Sequence, residues 1–295
     1  DPKFNTGSLT PYLKQKPNSY FIFGWNPFLN VYNWQNGKGK GWDKLVKKIG
    51  VAPVIYDAEQ VENSILNLEN HLNYLGYYDS HVESNILVKR RKVNVTYNVT
   101  LGKRYPIKEI TYTLPQRGEF TKDFLEDTLS MSVKVGDFLS ESALEAETER
   151  SSAEMRNKGF YNFNKNYYFF EADTLTCPDS AILHLTINEY TRNESPKEAE
   201  PIRRFFFRDV SISYPKTVNI KEKVLRNLNT IVPGDPYSST LVNTTYNRLS
   251  ALRIFSSVNI GMRQVDTNLV DCSISLSQSK VQGFKVNLEG STNSS

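Results

Sequence analysis

Two pairs of residues have the spacing of a catalytic serine and its lysine base. In Ser213 with Lys216, and in Ser277 with Lys280, two residues separate the hydroxyl from the amine, as in some enzymes that transfer acyl groups. That chemistry needs the serine at the start of a helix, opposite a second polar motif. Here one serine precedes a proline turn and the other ends a predicted strand. We therefore interpret both pairs as chance matches, and we keep a hydrolase that uses one of them as the alternative function.

Residues that could hold a metal or a cofactor are few and scattered. Segment 37–41 (GKGKG) lacks the last glycine of a dinucleotide-binding fingerprint and follows no predicted strand. No histidine or cysteine has a second ligand at the spacing that zinc sites use. The residues concerned are His71, His81, His184, Cys177 and Cys272. The sequence thus predicts no catalytic site, no metal site and no cofactor, and a protein that is not an enzyme.

A segment rich in tryptophan and lysine lies at about residues 24–52. The residues that define it are Trp34, Lys38, Lys40, Trp42 and Lys44. Interleaved tryptophan and lysine is typical of loops that contact anionic lipid headgroups or a protein partner. Contact of this segment with a membrane or a partner is therefore a hypothesis, and the alternative is an insertion with a purely structural role.

The composition limits the elements that can position these residues. The chain has 295 residues, a length typical of two or three domains. A formal charge of +4 is too small for the basic face of a nucleic-acid-binding protein. Only 39% of the residues are hydrophobic, which favours several small cores over one large core. No apolar run is long enough to predict a transmembrane helix.

One order of predicted elements, strand, helix, helix, strand and strand, occurs three times along the chain. Alternating and 3.6-residue periodicities define the middle copy. Its elements are a strand at 105–112, helices at 119–129 and 140–158, and strands at 166–172 and 182–190. Ser140 is placed to cap the second helix and Gly159 to end it. Glu147 is expected on the solvent-facing side of that helix.

The last copy repeats this order. Its strands are predicted at 205–214, 258–262 and 269–276, and its helices near 220–228 and 238–252. Gly234 repeats the turn that Gly136 makes in the middle copy. Arg253 stands where Gly159 stands in the middle copy. The first copy has a helix from Asp57 and a strand at 93–99, but no obvious first strand.

These repeats divide the chain into modules. The predicted segments are a first module at 1–102 with the insertion at about 24–52, a second module at 103–190, a linker at 191–201, a third module at 202–281, and the start of a β-barrel segment at 282–295. The linker is charged and contains a proline, so we predict a hinge and a variable orientation between the second and third modules.

The repeat resembles the POTRA domain of outer-membrane assembly proteins of the BamA and TamA type. The motifs that carry the resemblance are Gly136-Asp137-Phe138 and Gly234-Asp235-Pro236-Tyr237-Ser238 before the second helix, and Gly76-Tyr77-Tyr78 and Gly159-Phe160-Tyr161 after it. The resemblance implies an α+β fold of three tandem β-α-α-β-β modules, each a three-stranded mixed sheet covered by two helices. The chain looks most like a surface-antigen family protein of Bacteroides-type bacteria.

This resemblance also implies a function without catalysis. We expect a receptor and scaffold at the periplasmic face of the outer membrane of a Gram-negative bacterium. The implied partners are unfolded outer-membrane proteins, periplasmic or lipoprotein accessory subunits and the protein's own C-terminal barrel, with no nucleic acid. Receptor domains of a two-partner-type secretion translocator are a further alternative.

The expected mode of binding is strand addition. In this family the second strand of each sheet is an edge and the third is central, and an open edge can pair with an extended client chain. We predict client-binding edges at 81–88, 166–170 and 258–262. The residues concerned are His81, Asn85, Val88, Asn166, Tyr167, Tyr168, Phe169, Phe170, Val258, Ile260 and Met262.

Overall fold

The computed structural model describes residues 4–18, 52–90, 92–115, 118–189 and 201–278. The chain forms two compact units. The first consists of residues 1–108, 135–144 and 174–181, and the second of residues 109–134, 145–173 and 182–295. The first unit thus includes two connecting segments of the second predicted module. Among the described residues, no helix combines the length and the apolar character needed to cross a membrane.

The first module packs one long helix on a two-stranded hairpin. Its elements are a 3₁₀ helix (Thr6–Tyr12), helix α1 (Ala58–Tyr74), and the antiparallel strands β1 (His81–Lys89) and β2 (Lys92–Thr100). Asp57 caps α1, because its carboxylate accepts a hydrogen bond of 3.0 Å from the Glu59 N–H. The buried core residues are Leu9, Leu68, Leu72, Tyr77 and Val82. Within the described residues this sheet has two strands, where the resemblance implies three.

The second module contains all five predicted elements. They are β3 (Ile107–Thr113), α2 (Glu119–Thr128), α3 (Glu141–Asn157), β4 (Tyr168–Asp173) and β5 (Ala181–Ile187). The strands lie in the order β3-β5-β4, and β4 is antiparallel to β5. Leu185 of the central strand packs in one core with Phe124 of α2 and Met155 of α3. The Ser140 hydroxyl accepts a hydrogen bond of 3.3 Å from the Ala143 N–H and caps α3, as predicted.

The third module repeats the arrangement. Its elements are β6 (Phe206–Ser213), α4 (Glu222–Leu228), α5 (Ser239–Ser250), β7 (Phe255–Gln264) and β8 (Leu269–Gln278). The central strand β8 is parallel to β6 and antiparallel to β7. Cys272 is buried in this core beside Val270 and Ile274, as its alternation with apolar residues predicts. The α+β class and the three-stranded mixed sheet are thus confirmed.

A left-handed backbone turn follows the second helix in all three modules. The φ angle is +86° at Gly76, +106° at Gly159 and +54° at Arg253. Glycine favours this position because it has no Cβ to clash with the backbone. Arg253 adopts the same conformation, so the third module keeps the turn although its residue carries a side chain.

One buried polar side chain also recurs, at the seventh residue after the second helix's N-cap. In each module its oxygen accepts a hydrogen bond from a backbone N–H of the segment that precedes the helix. The bonds are Lys14 N–H to Ser64 Oγ at 2.9 Å, Ser132 N–H to Glu147 Oε2 at 2.9 Å, and Thr230 N–H to Thr245 Oγ1 at 2.9 Å. This bond ties the helix to its connecting segment and gives the buried side-chain oxygen a hydrogen-bond donor.

In the second module the residue at this position is Glu147, which carries a charge. The prediction that Glu147 faces solvent is wrong. It is 3% exposed. Arg150 donates to the Glu147 carboxylate at 2.7 Å and to both oxygens of the buried Asp127 at 2.9 Å. Burial favours a higher pKa of Glu147, but hydrogen bonds from Arg150 and Ser132 outweigh it and lower the pKa. The paired carboxylate can therefore stay ionised inside the module.

Candidate binding edges and module junctions

Strands β1, β4 and β7 lie at sheet edges within the described part of the chain. In both three-stranded sheets the last strand is central and the second is an edge, as the resemblance implies. An edge strand presents backbone N–H and C=O groups with which another extended chain can pair. The direction of those groups, and of the side chains between them, determines what each edge can bind.

On β7 the predicted residues present their backbone rather than their side chains. The Val265 N–H donates to the Leu269 carbonyl across the hairpin at 3.0 Å. Along an antiparallel strand, residues whose N–H and C=O groups bond the neighbouring strand alternate with residues whose groups point away from it. Because Val265 bonds across the hairpin, the N–H and C=O groups of Val258, Ile260 and Met262 face away from β8. Their side chains pack against the buried core of the third module. This edge therefore presents backbone groups, whose hydrogen bonds do not depend on the sequence of a partner strand.

The β4 edge follows the same rule. The Asn188 N–H donates to the Tyr167 carbonyl at 2.9 Å, so the backbone of Phe170 and the carbonyl of Tyr168 face away from β5. The Tyr168 and Phe170 side chains pack against the core, and burial raises the pKa of Tyr168. Phe169 lies on the opposite face and is 51% exposed, which makes it the aromatic side chain of this edge that a client can reach.

Asn166 and Tyr167 were predicted on the edge strand but lie in a 3₁₀ turn, Lys165–Tyr167, that precedes β4. The Asn164 side chain accepts a hydrogen bond of 3.0 Å from the Asn166 N–H. Such local side-chain bonds compete with strand pairing. The strand therefore begins two residues later than predicted.

The β1 edge is blocked at its start. The Val82 N–H donates to Glu69 of α1 at 2.9 Å, so this group points away from β2 and is already bonded. The His81 ring nitrogen Nδ1 lies 3.2 Å from the same carboxylate of Glu69. Because the direction of the backbone groups alternates along the strand, those of His81 and Asn85 point towards β2. The backbone N–H and C=O groups of Val88 face the open side of the strand, and this residue is 72% exposed. The distal half of β1 is thus the accessible part.

The other predicted contact residues lie outside the described residues. They are Trp34, Lys38, Lys40, Trp42 and Lys44 of the insertion. Their contact with a membrane or a partner stays a prediction.

Two of the residues considered for catalysis or metal binding, Ser213 and His184, have structural partners, and Lys280 lies outside the described residues. The Ser213 hydroxyl lies 3.1 Å from that of Ser275 and donates to the Ile274 carbonyl at 3.4 Å. The two ring nitrogens of His184 lie 2.6 and 2.9 Å from the hydroxyls of Thr111 and Thr113. No group of three or more histidine, cysteine, aspartate or glutamate side chains is placed to hold a metal among the described residues.

The comparison with protein families identifies the first module. Residues 4–102 match the model of the POTRA family, whose description is surface antigen variable number repeat. The match covers about a third of the chain. A comparison with curated proteins found no match.

The same fold extends along the array. POTRA domains 3–5 of BamA from Haemophilus influenzae match with 14% identity and a TM-score of 0.50, over 94% of this chain and 92% of that one. BamA from Haemophilus ducreyi lacking POTRA domains 1–3 has 14% identity and a TM-score of 0.46, over 59% and 30% of the two chains. POTRA domains 1–3 of the periplasmic domain of Omp85 from Anabaena have 9% identity and a TM-score of 0.27, over 78% and 85%. The predicted likeness in fold to BamA-type POTRA domains is confirmed, and we label the three POTRA-like modules POTRA 1, POTRA 2 and POTRA 3.

An arginine marks the junction of POTRA 1 with POTRA 2. The Arg104 guanidinium lies 4.8 Å from the centre of the Tyr77 ring and 4.0 Å from that of Phe138. Beside it, a Cβ on Gly76 would lie 2.2 Å from the Leu139 carbonyl oxygen. The glycine is therefore needed for the turn and also for the close approach of the next domain's connecting segment.

An equivalent arginine marks the junction of POTRA 2 with POTRA 3. Arg204 lies 5.6 Å from the centre of the Phe160 ring and forms an ion pair with Asp123 of α2. The Phe205 N–H donates to the Gly159 carbonyl at 2.8 Å. Arg104 and Arg204 each stack on the aromatic residue after the turn glycine of the preceding domain. The junction is thus part of the repeat, a feature that motif searches within one module miss.

Further contacts join POTRA 2 and POTRA 3. The Asn157 side-chain oxygen, at the end of α3, accepts hydrogen bonds from the Ser239 hydroxyl at 2.7 Å and the Thr240 N–H at 3.0 Å. The linker itself lies outside the described residues. The end of α3 and the start of α5 thus bond each other directly, and the hinge stays a prediction.

Proposed function

We propose that this array of POTRA domains is the periplasmic receptor and scaffold of an outer-membrane protein that assembles or translocates β-barrel chains. Its clients are unfolded outer-membrane proteins, its other partners are periplasmic or lipoprotein accessory subunits and a barrel, and it catalyses no reaction. The POTRA match and the fold of BamA POTRA domains support the scaffold role. The periplasmic location is what the resemblance to the POTRA domains of BamA- and TamA-type proteins implies.

The observation that carries the proposal is the outward backbone of β7. Val258, Ile260 and Met262 turn their N–H and C=O groups to the open side, while their side chains stay in the core. Main-chain bonds made there supply affinity without requiring a particular client sequence. A receptor for many unfolded barrel strands needs this property, and β4 offers the same geometry on a second edge.

We expect Ile260→Pro to weaken the binding of an unfolded chain by about fivefold or more. Proline removes the outward N–H and is tolerated where an edge strand faces solvent. The probe is a fluorescently labelled outer-membrane porin kept unfolded in dilute urea, and binding is followed by fluorescence anisotropy. Ile260→Val, which keeps the N–H and loses one methylene, is the matched control and should bind as the wild type does. Equal binding by the proline variant and the control would contradict strand addition at β7.

A further inference from the structure

The edges of POTRA 2 and POTRA 3 lead to one cavity. Its volume is about 410 Å³, within the range of about 300–1,000 Å³ that ligand pockets have. Tyr167, which immediately precedes β4, and Gln264, the last residue of β7, both line it. An extended chain paired with either edge strand and continuing past that end of it therefore arrives at the same cavity.

The walls of the cavity are aromatic and its rim is polar. Phe160, Phe163 and Phe205 form the apolar wall and are at most 4% exposed. Asn162 and Thr267 contribute polar groups to the lining. A tyrosine or tryptophan side chain suits such a site, since its ring can pack against other rings while its O–H or N–H finds a hydrogen-bond partner.

We propose that this cavity, which we call the junction pocket, takes a tyrosine or tryptophan side chain from the extended polypeptide that pairs with β4 or β7. The inference rests on the proposed function, because the strand paired with the edge delivers the side chain. The affinity that backbone hydrogen bonds supply does not depend on the sequence of the bound chain. The junction pocket adds a preference for chains with an aromatic residue just past the end of the paired segment.

The test uses three peptides with capped ends, all of alternating valine and serine. One carries tryptophan at its first position, one at its last, and the third has alanine at both. Their dissociation constants are measured by fluorescence anisotropy on the full 295-residue chain. We expect one of the tryptophan peptides to bind about tenfold more tightly than the alanine peptide, and the preferred end reports the direction of the bound strand.

Two variants of the protein show whether the preference arises in the junction pocket. Thr267→Trp fills the pocket from its exposed rim and should reduce the tenfold ratio to about one. Leu175→Trp adds the same side chain at a position that is 91% exposed in the β4–β5 connection, and should leave the ratio unchanged. Circular dichroism checks that both variants fold.

The outcomes separate this inference from the proposed function. If all three peptides bind equally, and Ile260→Pro weakens them all, strand addition holds and the junction pocket is wrong. The same conclusion follows if Thr267→Trp leaves the tenfold ratio intact. If none of the peptides binds, both the proposed function and the junction pocket are contradicted.

Discussion

The three POTRA domains carry chemically different residues at one equivalent position. The buried acceptor after the second helix's N-cap is a serine in POTRA 1, a glutamate in POTRA 2 and a threonine in POTRA 3. A hydroxyl accepts from the backbone donor and places its own proton on a nearby oxygen, as Ser64 does on the Gln60 carbonyl at 2.7 Å. The carboxylate of Glu147 adds a buried charge, which Arg150 balances while it also pairs with Asp127. POTRA 2 is therefore the domain whose stability depends on pH through this position.

We expect Glu147→Gln to destabilise the protein at pH 7 by about 1–3 kcal/mol, because it replaces a charge-assisted bond to Arg150 with a neutral one. The folded-state pKa of Glu147 is lowered. Its ionised form thus contributes stability above the unfolded pKa of about 4.3, and that contribution is lost as the pH falls through the folded pKa. The free energy of unfolding from urea titrations should differ between wild type and variant at pH 7, and less at pH 3.

The control for this prediction is Glu149→Gln, two residues along the same helix. Glu149 is exposed, so its substitution should change the free energy of unfolding by less than about 0.5 kcal/mol at either pH. A Glu147→Gln effect that is equal at both pH values would show that the ionised form has no special role.

At the scale of elements, periodicity and turn residues predict most of the fold. Alternation along β5 and β8 and the glycine turns place the strands and helices correctly, because these signals are local. Two features are not shown by the periodicity of apolar residues. The Asn164 side chain accepts a hydrogen bond from the Asn166 N–H, and Asn166 lies in a 3₁₀ turn instead of the strand. On β7, the bond from Val265 to Leu269 shows which residues turn their backbone groups to the open side. The candidate edge strands could therefore be predicted, whereas the backbone and side-chain groups that each edge presents could not.

The left-handed turn after the second helix gives a prediction at this scale. Arg253 has φ +54° where the other domains have glycine, and a side-chain-bearing residue in this conformation costs about 1–2 kcal/mol. We expect Arg253→Gly to stabilise POTRA 3 by about 0.5–1 kcal/mol, since glycine also gains freedom in the unfolded state. The midpoint of urea unfolding should rise.

Arg248→Gly is the control with the opposite sign. Arg248 lies in the last turn of α5 with helical backbone, where glycine costs about 1 kcal/mol. The midpoint should therefore fall. Equal effects of the two substitutions would contradict the equivalence of Arg253 with Gly76 and Gly159.

At the scale of the whole molecule, the junction residues make neighbouring POTRA domains depend on each other. Each turn glycine lets the next domain's segment approach, and each arginine stacks on the aromatic residue that follows that glycine. The contacts of Asn157 with α5 add directional bonds between POTRA 2 and POTRA 3. A fixed orientation would keep the β4 and β7 edges at a constant separation, which a client that pairs with both would require.

We expect spin labels at Glu149→Cys in POTRA 2 and Lys223→Cys in POTRA 3, with Cys177→Ser to remove the partly exposed native thiol, to give one narrow distance distribution by pulsed electron resonance. Asn157→Ala combined with Arg204→Ala should broaden it, because the junction then loses its hydrogen bonds to α5, the ion pair with Asp123 and the ring contact with Phe160. Arg226→Ala removes only an exposed pair with Glu222 of the same helix and should leave the distribution narrow. A broad distribution before any junction residue is changed would restore the hinge that the charged linker suggests. The two edges would then act as independent binding sites, and a client spanning both would gain only the effective concentration of a flexible tether.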